Sequence, residues 1–229
     1  MSQANAIDIP APAAAPGSTA YHGLFDVGEI KASDTVVVSA AAGSVGVYVG
    51  QLAKAIGCKV VGIAGGDTKC KKVVEELGFD GCIDYKNANL VRDLKTHCPE
   101  GIDLYFDNVG GTVLEAVLIR MKNRGRVVCC GAVSQYESSS PIGPRNIPGF
   151  VITKRLKLEG FIVMDFKEKH MEAITHMTKL LNEGKISIVE DITEGLQNAP
   201  KALVNLLNGK NFGKSMVRVA PDPYEQKMS

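Results

Sequence analysis

The chain has 229 residues, 45% of them hydrophobic, with 26 Lys and Arg against 25 Asp and Glu. That length allows one substantial core burying roughly 70% of the unfolded surface, and the balanced charge leaves no electrostatic footprint for a nucleic acid or an anionic membrane. No apolar run reaches the roughly 18 residues of a membrane-spanning helix, and the first residues lack the pattern of a signal peptide, so a soluble, cytoplasmic protein is expected.

Residues 1–18 are rich in Ala and Pro without periodicity and read as a disordered lead-in; 221–229 read as a tail, with one α/β unit over 19–220. A short helix is expected over Tyr21–Val27. Strands are then predicted near 35–40, 58–64, 81–84, 102–107, 126–131 and 156–163, alternating with helices near 45–56, 68–77, 88–97 and 112–122. This alternation predicts an α/β fold with a doubly wound parallel sheet, the Rossmann fold. Asp67 reads as the N-cap of the second of these helices and Gly78 as its stop, while Thr112-x-x-Glu115 reads as a capping box opening the fourth. Farther on, Asp165-x-x-Glu168 opens a long amphipathic helix ended by Gly184, and a last helix is expected over 195–208. The segments Ile186–Ile192 and Ser215–Val219 read as two strands that the main sheet does not obviously accommodate. Either they pair with each other or they belong with another domain.

The most informative stretch runs from Thr35 to Gly46, an apolar strand turning sharply into a helix through Ala41-x-Gly43-x-x-Gly46. Small residues there let a pyrophosphate approach the main chain and meet the free N–H groups of the helix start. Ala42, Gly43, Ser44, Val45 and Gly46 are therefore candidate cofactor contacts. The plain alternative is a tight turn that is small only for packing.

A dinucleotide fold selective for NAD offers an acid at the end of its second strand, to hold the ribose diol. Here that place reads Ala64-Gly65-Gly66, followed by Lys69, Lys71 and Lys72. An ammonium suits a ribose 2′-phosphate, so NADP(H) is preferred, with Lys69 the candidate and Lys71 and Lys72 assigned to a solvated helix face. Asn108, after the fourth strand, and Cys130, Gly131 and Ala132, ending the fifth, lie on the crevice side. The long loop Ser134–Gly149 follows them, where parallel sheets carry binding residues.

The six cysteines lack C-x-x-C pairs and have few histidines nearby, which argues against zinc. They are expected to be free thiols. For Cys70 two readings stand, an inert buried thiol or a thiolate favoured by Lys69, Lys71 and Lys72.

Together, Ala41–Gly46, Gly66-Asp67-x-Lys69, Asp84-Tyr85-Lys86, Phe106–Gly111, Cys130–Ser134 with Tyr136, and Asn211-x-Gly213-Lys214 resemble the zinc-independent medium-chain dehydrogenase/reductase family. The branch is that of prostaglandin reductase, leukotriene B4 12-hydroxydehydrogenase and NADP-dependent alkenal reductase, and the resemblance covers residues 17–220 in order. It implies NADPH-dependent reduction of the carbon–carbon double bond of α,β-unsaturated ketones or aldehydes. It also implies Lys69 and Tyr85 at the 2′-phosphate, Asn108 near the nicotinamide, Asn211 along the cofactor and the backbone of Phe161, Ile162 and Val163 at the carboxamide. Tyr136 matches a tyrosine that hydrogen-bonds the substrate oxygen, which makes it the catalytic candidate.

The family places a GroES-like domain ahead of the glycine motif, and the expectation is that it is missing here. Cofactor binding with weak or absent turnover is then expected, together with a homodimer through the strand near 157–163. Quinone reduction and a non-catalytic NADPH-binding role are the alternatives.

Overall fold

Three successive valines, Val36, Val37 and Val38, are all fully buried, which requires a strand covered on both faces. The computed structural model describes residues 11–136, 139–140 and 142–220. The first ten residues of the expected lead-in, the tail over 221–229, and Glu137, Ser138 and Pro141 of the long loop lie outside the described residues.

In chain order, α1 (Ala11–His22) leads through a π-helical turn (Gly23–Val27) into β1 (Thr35–Ser39), α2 (Gly46–Ile56), β2 (Lys59–Ala64), α3 (Asp67–Glu75) and β3 (Gly81–Asp84). There follow α4 (Leu90–His97), β4 (Ile102–Asp107), α5 (Gly111–Arg120), β5 (Met121–Cys129), α6 (Ile147–Lys154) and β6 (Lys157–Gly160). The chain ends through α7 (His170–Asn182), β7 (Glu190–Glu194), α8 (Ala199–Leu207) and β8 (Lys214–Arg218). The first six strands form one parallel sheet in the order β3-β2-β1-β4-β5-β6. The order reverses between β1 and β4, and a crevice opens at that point beyond the carboxyl ends of the strands.

Alternation along the strands divides the core. Val36, Val38, Leu104 and Phe106 pack with Tyr48, Leu52, Phe79 and Met177 on one face. Val37, Tyr105, Val61 and Ile63 pack with Leu94, Val117 and Leu118 on the other. Each such aliphatic side chain contributes about 1.5–3 kcal/mol by leaving water. Among the described residues, no helix is long and apolar enough to cross a membrane.

The expected lead-in is already helical from Ala11, which corrects its reading as disordered through residue 18. Ser18 and Ala20 are buried, and a Cβ on Gly17 would come within 2.3 Å of Met177. Small residues let α1 pack closely on α2 and α7, and a run that is small all round carries no amphipathic signal. The two orphan strands pair with each other, β7 and β8 in parallel, with α8 as their crossover.

Three predicted caps do not form. Gly66 (φ +102°) and Gly110 (φ +70°) occupy the N-cap positions of α3 and α5, leaving Asp67 in the first turn of α3, paired with Lys71 at 2.8 Å. Glu115 accepts instead from the Arg145 backbone N–H at 3.0 Å and Nε at 3.3 Å. Asp165 lies in a 3-10 stretch, Val163–Lys169, that precedes α7. The fifth strand starts at Met121, earlier than predicted, with Arg124 at φ +62° and a register shift between Ile102 and Leu104. The sixth ends at Gly160, so residues 161–163 lie beyond the sheet.

Candidate functional site

The turn after β1 is held close against the start of α2. Ala40 has φ +49°, Gly43 N–H donates to the Ala40 carbonyl at 2.8 Å, and Ala41 N–H donates to Ile63 O at 3.0 Å. A Cβ on Gly46 would stand 2.2 Å from Ala40 O, and one on Gly50 would stand 1.7 Å from the Phe79 ring. The start of α2 is thereby pressed onto the strand end; Val47 N–H donates to Gly43 O at 3.1 Å and Tyr48 and Val49 N–H to Val45 O at 3.0 Å, so the amides ahead of them, around Ser44–Gly46, are the ones placed to meet an anion. The dipole adds a preference for an anion there. Ala42, Gly43, Ser44, Val45 and Gly46 all lie in this turn.

The chain returns to the same turn at its far end. Gly213 N–H donates to Ala42 O at 2.8 Å and forms a parallel bridge with Gly43. Asn211 is buried two residues before, its Nδ2 donating to Gly213 O at 2.9 Å. Gln51, buried on α2, grips the approach to β7. Its Oε1 accepts from Ser187 N–H at 2.7 Å, and its Nε2 donates to Ser187 O at 3.1 Å.

At the ends of β2 and β3, Tyr85 lies against Gly65, where an added Cβ would meet its ring at 2.8 Å. Half-buried Lys69 lies in the first turn of α3, which opens at Gly66. Burial first, and then the Lys86 ammonium, hold its pKa below the ordinary lysine value, while Asp191 on β7 opposes the shift. Lys71 is exposed and paired with Asp67, consistent with the solvated face expected of it. Lys72 instead lies over the Phe212 ring at 5.0 Å.

Between β1 and β4, one buried carboxylate oxygen organises the crevice. Asp107 Oδ1 accepts from Tyr105 Oη at 2.8 Å, Ser39 Oγ at 3.2 Å, Val109 N–H at 3.0 Å and Gly110 N–H at 2.8 Å. Asn108 donates its Nδ2 to Ser39 O at 2.8 Å, so this amide ties β4 to β1 as well as standing at the crevice. Cys130 and Gly131 donate to Asp107 O at 2.9 and 3.0 Å, which lays Cys130, Gly131 and Ala132 alongside the end of β4. Burial, followed by the Asp107 charge, pushes the Cys130 thiol up to about 11.

Tyr136 is largely exposed in the turn after β5. Its hydroxyl accepts from Ala132 N–H at 3.2 Å, a bond that leaves its own hydrogen uncommitted. Phe161 packs edge-on to Phe106 and Phe166, Ile162 is exposed, and Val163 opens the 3-10 stretch. Cys70 does not fit the thiolate reading. It is 8% exposed, and burial pushes its thiol above the ordinary value. Sequence reasoning passed over the roles of Gln51, Asp107 and Lys86; only the Asp84-Tyr85-Lys86 run hinted at the last.

A family model described as zinc-binding dehydrogenase matches residues 44–182, more than half of the chain, from the end of the turn through α7. The chain belongs to the zinc-binding dehydrogenase family. Among the described residues of this chain, no three His, Cys, Asp or Glu side chains are grouped to hold a metal ion.

Relatives of this chain include the NADPH-dependent curcumin reductase of Escherichia coli, 46% identical over 90% of this chain and 61% of the relative. Bovine prostaglandin reductase 1 is 45% identical over 89% of this chain and 62% of the relative, and the tobacco NADP(+)-dependent 2-alkenal reductase is 44% identical over 90% and 60%. The crystal structure of CurA from Vibrio vulnificus in complex with NADPH superposes with a TM-score of 0.85 at 45% identity, covering 90% of this chain and 63% of that one. The chain thus spans about three fifths of the length of the relatives it matches.

Proposed function

We propose that this chain binds NADP(H) across the β1 turn and forms the cofactor half of a reductase acting on the carbon–carbon double bond of α,β-unsaturated ketones or aldehydes. The observation that carries the reading is the pairing of a close turn at Gly43–Gly46, where α2 begins, with Tyr85 against Gly65 and Lys69 in the first turn of α3, while the nearby acids Asp84 and Asp67 are taken up by N–H donors and by Lys71. The residues fit the group: an anion meets the α2 start, and a second anion meets a half-buried ammonium. The names of the curcumin, prostaglandin and 2-alkenal reductases supply the substrate class.

Bound NADPH would supply the hydride to the β-carbon of the substrate. This chain's task at the other end of the conjugated system is to stabilise the oxygen on which negative charge develops. Tyr136 suits it, because its phenol can donate a hydrogen bond to that oxygen while the Ala132 N–H supports the phenol oxygen from behind. Gly131 and Ala132, small and laid along the end of β4, leave room for a flat ring against the sheet edge. Phe161, Ile162 and Val163 would offer backbone groups to a carboxamide, and Asn108 and Asn211 would flank the cofactor.

β6 is an edge strand of the main sheet, carrying Lys157 and Glu159, which pair with each other at 2.9 Å. A second copy joining there in antiparallel fashion would place unlike charges opposite one another and close the open edge. A monomer by light scattering counts against that dimer.

Calorimetry with NADPH, followed by NADPH oxidation in the presence of 2-alkenals, a 15-ketoprostaglandin or quinones, tests the function. Binding with enone-dependent oxidation is expected to exceed any quinone-dependent rate. No binding heat would end the proposal, and a quinone-dominated rate would shift it to quinone reduction. That second reading has its own support in the NADPH complex of Escherichia coli quinone oxidoreductase, which superposes at a TM-score of 0.76 and 26% identity.

A further inference from the structure

The residues after β3 fold back onto the glycine turn after β2, and Asp84 is what holds them there. Its Oδ1 accepts the Gly66 N–H at 2.7 Å and the Lys86 N–H at 3.1 Å, so two backbone segments meet on one oxygen. Its Oδ2 takes the Asn87 side-chain amide at 2.7 Å, and Tyr85 N–H donates to Ala64 O at 3.0 Å. Lys86 is thereby brought up against Gly66, the N-cap of α3, three residues before Lys69.

Charge distinguishes these two lysines from their neighbours. Lys71 pairs with Asp67 at 2.8 Å and Lys72 with Glu76 at 3.9 Å, whereas among the described residues neither Lys69 nor Lys86 has a carboxylate within ion-pair distance. The acids nearby are held by other donors as well: Asp84 accepts from three N–H donors and also feels the Lys86 charge, Asp67 is paired with Lys71, and Asp191 on β7 acts on Lys69. Lys86 is close enough to Lys69 to help depress its protonation. Two like charges fixed around one turn repel each other, and an anion between them relieves the repulsion.

We propose that Lys86 is a second cation for a ribose 2′-phosphate, so that Lys69 and Lys86 together set the preference for a 2′-phosphorylated dinucleotide. This rests on the reading of the β1 turn as an NADP(H) site and adds a specificity-determining residue to it. Asp84 is a positioning residue, acting through the backbone of Gly66 and Lys86.

The test is fluorescence titration of the wild-type chain and of Lys86→Gln, Lys86→Arg and Lys69→Gln with NADPH and NADH, at two salt concentrations. Lys86→Gln is expected to weaken NADPH roughly five- to tenfold, the loss of one charge-assisted contact, while leaving NADH within about twofold. Lys86→Arg should restore most of the loss, and Lys86→Gln should reduce the salt dependence of NADPH binding. A wild type that prefers NADPH alongside a Lys86→Gln that keeps the same preference would overturn the role of Lys86 while leaving the cofactor reading intact. Equal weakening of both nucleotides would also overturn it, since that is what a disturbed turn produces. A wild type that binds neither, or both alike, would remove the 2′-phosphate reading and this inference together.

Discussion

Gly213 donates its N–H to the carbonyl oxygen of Ala42 at 2.8 Å, so the segment entering the last strand is bonded to the turn that follows the first. The position has φ +81°, and a Cβ there would stand 2.3 Å from Val189 O. The β7–β8 ribbon is therefore a buttress for the β1 turn, although it lies outside the main sheet.

Gly213→Ala is expected to strain the left-handed backbone by roughly 1–2 kcal/mol and to push against Val189. NADPH affinity should fall about tenfold together with a lowered thermal midpoint, although no cofactor contact is assigned to this residue. Unchanged calorimetric affinity would show that the ribbon does not govern the turn.

Asp107→Ala would leave two hydroxyls and two backbone N–H groups without their common acceptor in the interior. Unsatisfied buried donors cost about 1–3 kcal/mol each before relaxation, so a loss of about 3 kcal/mol is expected. In thermal unfolding followed by circular dichroism this corresponds to a midpoint roughly 6–12 °C lower. A shift of under a degree would contradict the hub.

The lowered pKa of Lys69 gives a sign to the pH dependence of cofactor binding. The charged form is present below the folded-state value and is lost as pH rises through it, earlier than for an exposed lysine. NADPH affinity should therefore fall on the alkaline side while NADH affinity stays level. Stability moves the other way: between the folded and unfolded values the unfolded chain holds a proton that the folded chain lacks, so burial of this group costs less as pH rises. Lys69→Arg should shift the alkaline limb out of range in nucleotide titrations from neutral to high pH.

Partial burial alone would raise the pKa of Asp26, but hydrogen bonds from Lys169 and His22, and their charges, hold it below the usual carboxylate value. A depressed acid stabilises the fold above its unfolded value and loses that contribution as pH falls through the folded one. Asp26→Asn should be less stable at neutral pH and should show a shallower decline in urea stability on acidification. An acid limb identical to that of the wild type would argue against the trio.

Tyr136→Phe removes the one hydrogen that the phenol can donate while keeping its ring. NADPH affinity is expected to be unchanged and enone-dependent oxidation to fall by about a hundredfold, the usual loss for one oxyanion donor. Full retention of turnover would exclude the role.

What the sequence disclosed and what it hid divide along physical lines. The β-branched runs at 35–39 and 59–64 and the Leu-Tyr-Phe run within 102–107 stand out because central parallel strands are covered on both faces, and the crevice residues follow from where such strands end. Gly78 was legible as a stop, since its φ of +71° is one that few other residues adopt. The caps were misread because Gly66 and Gly110 took those positions by backbone conformation, with no side-chain signal. The close-packed α1 hid in its small residues, and β5 began early through a positive-φ Arg124 that no propensity favours. At the candidate site, Lys69 is proposed from its offset after β2, whereas the part proposed for Lys86 depends on Asp84 folding one turn over another.

The bare track along α2, at Gly46 and Gly50, carries a consequence of its own. The stand-off between helix and sheet is a clearance, kept by missing atoms as well as by the bonds of the turn, so its tolerance runs in one direction. Trimming Phe79 leaves the cradle at its height above the strand, whereas a single methyl group on the inner side of α2 lifts it out of reach.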